Sequence, residues 1–168
     1  MPRSVFFRVA PYAAAIVLAT AGLGAVRAQT RDAYASWREA IDVLQAAGYS
    51  QVEEIETRWY GGFEVDTVDA GGHETELQLA GQPLAIRSKR SGHEHADADE
   101  LVETAQLRAA IDWLEHGGYR DLESLSGERG GIEVEVRDAG RTRVELEIAS
   151  GPGGIALLQQ QRGSLLDF

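Results

Sequence analysis

The sequence predicts an α+β protein of two tandem repeats, each with one helix packed on an antiparallel sheet of three strands, or of four. Residues 40–49, AIDVLQAAGY, recur almost position for position as AIDWLEHGGY at residues 110–119, an offset of 70. The similarity between the two halves continues downstream, where GGFEVD at residues 61–66 corresponds to GGIEVE at residues 130–135. Self-similarity at a fixed spacing indicates a duplicated unit.

The length of 168 residues fits two small related halves. A unit of about 60 residues buries only about 60% of the surface of its unfolded chain, so each half is marginal by itself. We therefore expect the halves to pack together as one cooperative body.

Residues 1–28 have the character of a secretory signal peptide. Arg3 and Arg8 precede an apolar stretch at residues 12–25, and small residues follow at 26–28. The alternative is a membrane anchor, but a span needs about 20 apolar residues and this run is shorter. We expect cleavage after Ala28, an exported protein that is periplasmic or secreted, and no stable membrane insertion afterwards.

Composition narrows the classes of partner. The chain has no Cys, so packing must stabilise it and thiol chemistry is excluded. Its net charge is −11, and removal of Arg3, Arg8 and Arg27 makes the mature chain −11 − 3 = −14. Nucleic acids and anionic lipids would repel such a chain, which leaves basic proteins, cations or simple solubility.

In the first half, the spacing of apolar residues predicts a helix over residues 32–47. Its buried stripe consists of Tyr34, Trp37, Ile41 and Leu44. Gly48 ends the helix, and Tyr49 is expected to pack back on its last turn, with a ligand role for Tyr49 as the less favoured alternative. Three strands follow at residues 52–60, 63–68 and 74–79, with a further extended piece at residues 83–86.

Residues 87–98 form a polar run without apolar periodicity, which predicts a linker between repeats at residues 29–86 and 99–158. Asp97 and Glu100 are expected to cap the second helix. Its apolar stripe consists of Leu101, Leu107, Ile111 and Leu114. Strands are expected at residues 122–129, 132–137 and 143–148, an edge strand at residues 155–161, and a loosely held tail at residues 159–168.

A helix ending in Gly-Tyr is followed by an apolar strand, then by Gly-x-Glu-Val and by an acidic turn that contains Gly. In the order of these motifs, the sequence resembles the PepSY family. The resemblance rests on Ala40, Gly48, Tyr49, Val52, Ile55, Glu64, Val65, Asp69, Gly71 and Leu77, with equivalents in the second half. It implies a helix on an antiparallel sheet and a non-enzymatic role. PepSY domains occur in propeptides of secreted peptidases, for which an inhibitory role is proposed. The resemblance therefore also implies inhibition of a peptidase, which here would be a separate protein.

The hairpin pattern places acidic side chains on one face of the sheet. If Val134 lies opposite Leu146, carboxylates lie opposite carboxylates, an arrangement that destabilises a sheet. The candidate partner or cation face comprises Glu64, Asp66, Glu76, Glu133, Glu135, Glu145 and Glu147. A basic partner or a divalent cation would relieve the repulsion; the alternative is a solvated face that keeps the protein soluble.

Other polar groups suggest less. His93 and His95 could coordinate a metal, but a solvated linker is the favoured interpretation, and His73 and His116 are isolated. Trp59 and Tyr60 lack aromatic counterparts in the second half, and a core role for Trp59 is favoured over a contact surface.

No catalytic residue, metal site or cofactor is predicted. We expect a protein-binding module that inhibits or modulates a peptidase; the alternative is a cation-responsive or structural cell-envelope domain. The oligomeric state stays open.

Overall fold

The computed structural model describes residues 22–59, 61–151 and 154–162. The first half contains helix α1 (Gly22–Ala46) and strands β1 (Gln51–Thr57), β2 (Phe63–Val68), β3 (His73–Ala80) and β4 (Ala85–His95). The second half contains β5 (Val102–Glu103), α2 (Thr104–Gly117), β6 (Arg120–Glu128), β7 (Gly131–Arg137), β8 (Arg143–Gly151) and β9 (Gly154–Arg162). A helix followed by four strands therefore occurs in each half.

All strands belong to one antiparallel sheet, which corrects the predicted fold class. Its order is β4-β3-β2-β1-β6-β7-β8-β9, and the short β5 pairs with β1 outside this path. The expectation of two tandem repeats, each with a helix packed on its own antiparallel sheet of three or four strands, is wrong. The two first strands, β1 and β6, pair with each other and join the halves into a single sheet.

Both helices pack on the same face of this sheet and form its only core in the described part of the chain. The stripe Trp37, Ile41 and Leu44 is fully buried, as are Leu107, Ile111 and Leu114 of α2. They contact the alternate apolar residues of the strands. One-sided packing follows from the alternation of apolar and charged residues, which gives a sheet one buried and one solvated face.

The ends of the two helices share the predicted Gly-Tyr geometry. Gly48 and Gly118 adopt positive φ angles of 88° and 78°, a conformation that suits glycine. The next residue donates its backbone N–H back into the helix, from Tyr49 to the Leu44 carbonyl oxygen at 2.9 Å and from Tyr119 to Leu114 at 3.2 Å. Tyr49 is 9% exposed, so its predicted packing role is confirmed.

Polar contacts tie the two helices together. Arg38 of α1 donates hydrogen bonds to Asp112 at 2.7 Å and to Glu115 at 2.6 Å, both on α2. Arg108 of α2 forms an ion pair with Asp42 of α1. These pairs cross between the halves, so the two units contact each other through their helices as well as through the sheet.

The polar run expected to be a linker is part of the sheet. Ala85–His95 form β4, an edge strand paired with β3, with Glu76 opposite Arg90 and Leu77 opposite Lys89. An edge strand with mostly exposed side chains shows no apolar period, so the sequence pattern misses it. The predicted domain boundaries themselves stay a prediction.

The start of α2 also differs from expectation. Glu103 is its N-cap, and a reciprocal capping box joins Glu103 with Gln106. Asp97 and Glu100 instead close a preceding turn, in which the Glu100 N–H donates to the Asp97 carbonyl oxygen at 3.1 Å. The predicted cap is therefore placed too early.

Within the described residues, neither helix combines the length and apolarity needed to cross a bilayer. Most of the predicted signal peptide, Tyr60 and the last six residues of the predicted tail lie outside the described ranges.

Candidate functional site

The side of the sheet turned away from the helices is rich in carboxylates, and we call a set of nine of them the acidic face. It consists of Glu54, Glu56, Glu64, Asp66, Glu76, Glu133, Glu135, Glu145 and Glu147. These residues alternate along their strands with buried core residues such as Ile55, Val65 and Val134. The position of each carboxylate therefore follows from the two-residue period of a strand.

The predicted register of the hairpins is confirmed. Val134 lies opposite Leu146, which places Glu133 opposite Glu147 and Glu135 opposite Glu145. In the first half, Asp66 lies opposite Glu76, and Glu64 lies opposite Gln78.

The pairing of β1 with β6 extends these contacts into two rows across the sheet. One row is Gln78, Glu64, Glu56, Ser124, Glu135, Glu145 and Gln161. The other is Arg90, Glu76, Asp66, Glu54, Ser126, Glu133, Glu147 and Gln159. The seven predicted site residues, which come from both halves, therefore lie on one continuous surface.

Arginines neutralise only part of the acidic face. Arg58 pairs with Glu56 at 2.9 Å and with Glu64, Arg90 pairs with Glu76 at 2.7 Å, and Arg143 pairs with Glu135. In the described part of the chain, no ion pair reaches Glu54, Asp66, Glu133, Glu145 or Glu147. The negative charge is thus concentrated in the second row.

The environment of that row disfavours ionisation. Burial, followed by the charges of Glu76 and Glu64, raises the pKa of Asp66. Burial is also the main cause that raises the pKa of Glu54, with Glu56 next, and the pKa of Glu133, with Glu145 next. The half-buried carboxylates therefore repel one another across strands, and an added positive charge would lower their energy.

A depression lies at the centre of the acidic face, where the two halves meet. Ser124 and Ser126 of β6 separate the carboxylates of β1 from those of β7. The depression is lined by Glu54, Glu56, Thr57, Glu123, Ser124, Ser126, Glu133 and Glu135. Short serines between longer acids leave room there, and the lining presents hydroxyl groups and acceptors for a cationic group.

Two features of this surface were missed in the sequence. Glu54 and Glu56 were not assigned to the candidate site. They flank Ile55 in the same alternation of acidic and apolar residues that identifies the other acids, so this pattern is sufficient to predict them. The contribution of Ser124 and Ser126 depends on the pairing of β1 with β6, which no local pattern encodes. The favoured core role of Trp59 is wrong, because the side chain is 95% exposed in the turn between β1 and β2.

The histidines are placed differently from expectation. His95 lies in β4 directly opposite His73 of β3, so His73 is not isolated. Their rings stack with centroids 4.7 Å apart. Among the described residues, no group of three or more His, Cys, Asp or Glu side chains is arranged to hold a metal ion.

The comparison with protein families identifies the first half. The family model of the peptidase propeptide and YPEB domain, PepSY, matches residues 8–90, a range that includes α1, β1, β2, β3 and part of β4. Comparisons with curated proteins and with solved structures give no match. That the second half is a further copy of the same domain stays a prediction. Over residues 8–90, the chain belongs to the PepSY family.

Proposed function

We propose that this protein is an exported, non-enzymatic binding module whose acidic face docks a basic surface of another protein, and that a peptidase is its partner. The observation that carries the proposal is the second row of the acidic face, where Asp66, Glu54 and Glu133 lie without an arginine partner in the described residues. Folding does not require this arrangement, because like charges placed opposite each other destabilise a sheet.

The central depression gives the proposal a specific geometry. A lysine or arginine side chain of the partner would enter beside Ser126, between Glu54 on one side and Glu133 on the other. Burial is the main cause that raises the pKa of both acids and neighbouring carboxylates add to it, so a bound positive charge would stabilise their ionised forms. Charge-assisted hydrogen bonds to carboxylates are stronger than neutral ones, so this contact contributes to affinity as well as orientation.

The family supports a peptidase as the partner. The description of the matched family names peptidase propeptides, and a propeptide acts by contacting a peptidase. The proposed partner is a peptidase on a separate chain. The N-terminal sequence supports export, and sequencing of the mature protein should find Gln29 as its first residue.

A pull-down from the cell envelope tests the proposal. The bait is the mature protein, compared with a variant in which Asp66→Asn and Glu133→Gln remove two charges of the second row. We expect a stoichiometric protein partner on the unsubstituted bait and at least a tenfold weaker association with the variant, since close charge pairs across an interface contribute several kcal/mol. An assay of envelope peptidase activity then shows whether the captured partner is inhibited.

The matched control removes two charges elsewhere. Asp42 lies on α1, on the other side of the sheet, and Asp99 lies in the turn before α2. The Asp42→Asn, Asp99→Asn variant has the same net charge as the first variant and should retain the partner. Equal loss in both variants would show that net charge alone attracts the partner and would contradict a docking site on the acidic face.

A further inference from the structure

We propose that His73 and His95 form a two-imidazole binding site for a divalent late transition metal ion such as Zn²⁺. The two residues are direct neighbours across β3 and β4. Their rings are 4.7 Å apart between centroids and inclined by 21°. Imidazole nitrogen is a preferred ligand of Zn²⁺, Cu²⁺ and Ni²⁺, whereas Mg²⁺ and Ca²⁺ prefer oxygen.

The hydrogen bonding of His95 leaves the correct nitrogen available. Its Nδ1 lies 3.1 Å from the carbonyl oxygen of Gly72. A carbonyl oxygen only accepts, so Nδ1 carries the proton in this contact and the lone pair of the neutral ring is on Nε2. A metal-binding histidine commonly has this arrangement, with its other nitrogen donating to a carbonyl or carboxylate.

Asp69 provides the corresponding support for His73. The Asp69 carboxylate is held in place by the backbone N–H groups of Gly71 at 2.7 Å and His73 at 3.1 Å. It lies 3.4 Å from Nδ1 of His73. A carboxylate at this side of the ring favours the proton on Nδ1, which again leaves Nε2 for a metal ion.

The equivalent turn of the second half shows that folding does not require these imidazoles. There Asp138 accepts from the backbone N–H groups of Gly140 at 2.8 Å and Thr142 at 3.0 Å. Thr142 thus stands where the first half has His73. The aspartate and the glycine two residues after it, Gly71 or Gly140, build the turn in both halves, and only the first half adds the pair of rings.

The proposed site has two protein ligands, and water completes the coordination. Two Zn–N bonds of about 2.0–2.1 Å at a tetrahedral angle place the nitrogens roughly 3.4 Å apart. Rotation of the two rings about their side-chain bonds would bring the Nε2 atoms to this separation. His73 is 43% exposed and His95 is exposed, so the surroundings permit this rotation.

A thermal-unfolding titration of the untagged mature protein with Zn²⁺ tests the site. We expect Zn²⁺ to raise Tm and the shift to disappear in His73→Thr and in His95→Thr. His73→Thr introduces the residue found in the equivalent turn, so the fold should tolerate it. Asp69→Asn keeps the oxygen that caps the turn but removes the negative charge, and it should lower the affinity for Zn²⁺ about tenfold.

His116 provides the matched control. It is a single exposed histidine on α2 whose Nδ1 lies 2.6 Å from the Asp112 carbonyl oxygen, and His116→Thr should retain the full Zn²⁺ shift. In NMR spectra, the ring signals of His73 and His95 should respond together to Zn²⁺, with no response to Mg²⁺. Absence of a Zn²⁺ shift in the unsubstituted protein, or an unchanged shift in His73→Thr, would overturn the proposal.

Discussion

Ile55 of β1 lies directly opposite Leu125 of β6, and both side chains are fully buried. This contact stands at the junction between the halves, so the core of each half continues into the other. We therefore predict that Leu125→Ala destabilises the whole molecule by about 2–5 kcal/mol, the usual range for such a cavity. Urea unfolding followed by hydrogen exchange should show α1 and α2 losing protection in the same transition.

The control for this prediction is Leu157→Ala. Leu157 is 42% exposed on the edge strand β9, so its removal should change the free energy of unfolding by less than about 0.5 kcal/mol. Protection of β2 and β3 that persists after the second half has unfolded would contradict a single cooperative body.

Gly127 of β6 should not tolerate a side chain. A Cβ there would lie 1.8 Å from the carbonyl oxygen of Glu100 and 2.9 Å from a methyl group of Val102. The backbone before α2 would have to move, and we predict that Gly127→Ala lowers stability by about 1–3 kcal/mol or more. Ser126→Ala, one residue away on the open face, serves as the control in chemical denaturation and should have a small effect.

The acidic face should make stability rise as the pH falls from neutral towards about 5. The pKa values of Glu54, Asp66 and Glu133 are raised in the folded state, mainly by burial. A carboxyl group with a raised pKa stabilises the fold when protonated, and this contribution is lost as pH rises through that pKa. Thermal unfolding at pH 7 and pH 5 should therefore show a higher Tm at pH 5.

The Asp66→Asn, Glu133→Gln variant isolates this effect. Its Tm should exceed that of the unsubstituted protein at pH 7, and the difference should shrink at pH 5 and in 0.5 M salt, which screens the repulsion. If the substitutions lower Tm at pH 7, repulsion across the acidic face is not a destabilising factor.

Tyr34 supports the contact between the halves. The side chain is 2% exposed, and its hydroxyl group donates to the carbonyl oxygen of Tyr119 at 3.1 Å. Tyr34→Phe removes the donor and should cost about 0.5–1.5 kcal/mol in urea unfolding. Tyr119→Phe keeps the backbone acceptor and should cost less; equal losses would show that the hydrogen bond does not account for the effect.

Local patterns predict the helices and hairpins well because short-range periodicity determines which residues they bury. The stripe from Trp37 to Leu44 and the register of Val134 with Leu146 follow from periods of 3.6 and 2 residues. The same alternation yields the seven predicted acids of the acidic face. Their shared location on one continuous surface follows only from the joined sheet.

The features that local sequence patterns do not predict depend on pairing between strands that are distant in the chain. The contact of Ile55 with Leu125 joins two strand edges that are far apart in the chain, and either edge could have been left exposed. An edge strand such as β4 buries few side chains, so its polar and basic sequence resembles that of a linker. The juxtaposition of His73 with His95 depends on that strand, which is why His73 was expected to be isolated.

The most direct test of the account places a cation in the central depression. Ser126 lies between Glu54 and Glu133, so Ser126→Lys supplies in the same chain the positive charge that the partner is proposed to bring. We predict that this variant has a higher Tm at pH 7 and no longer captures the partner, whereas Ser126→Ala still does. Undiminished capture by a folded Ser126→Lys protein would contradict docking at the acidic face.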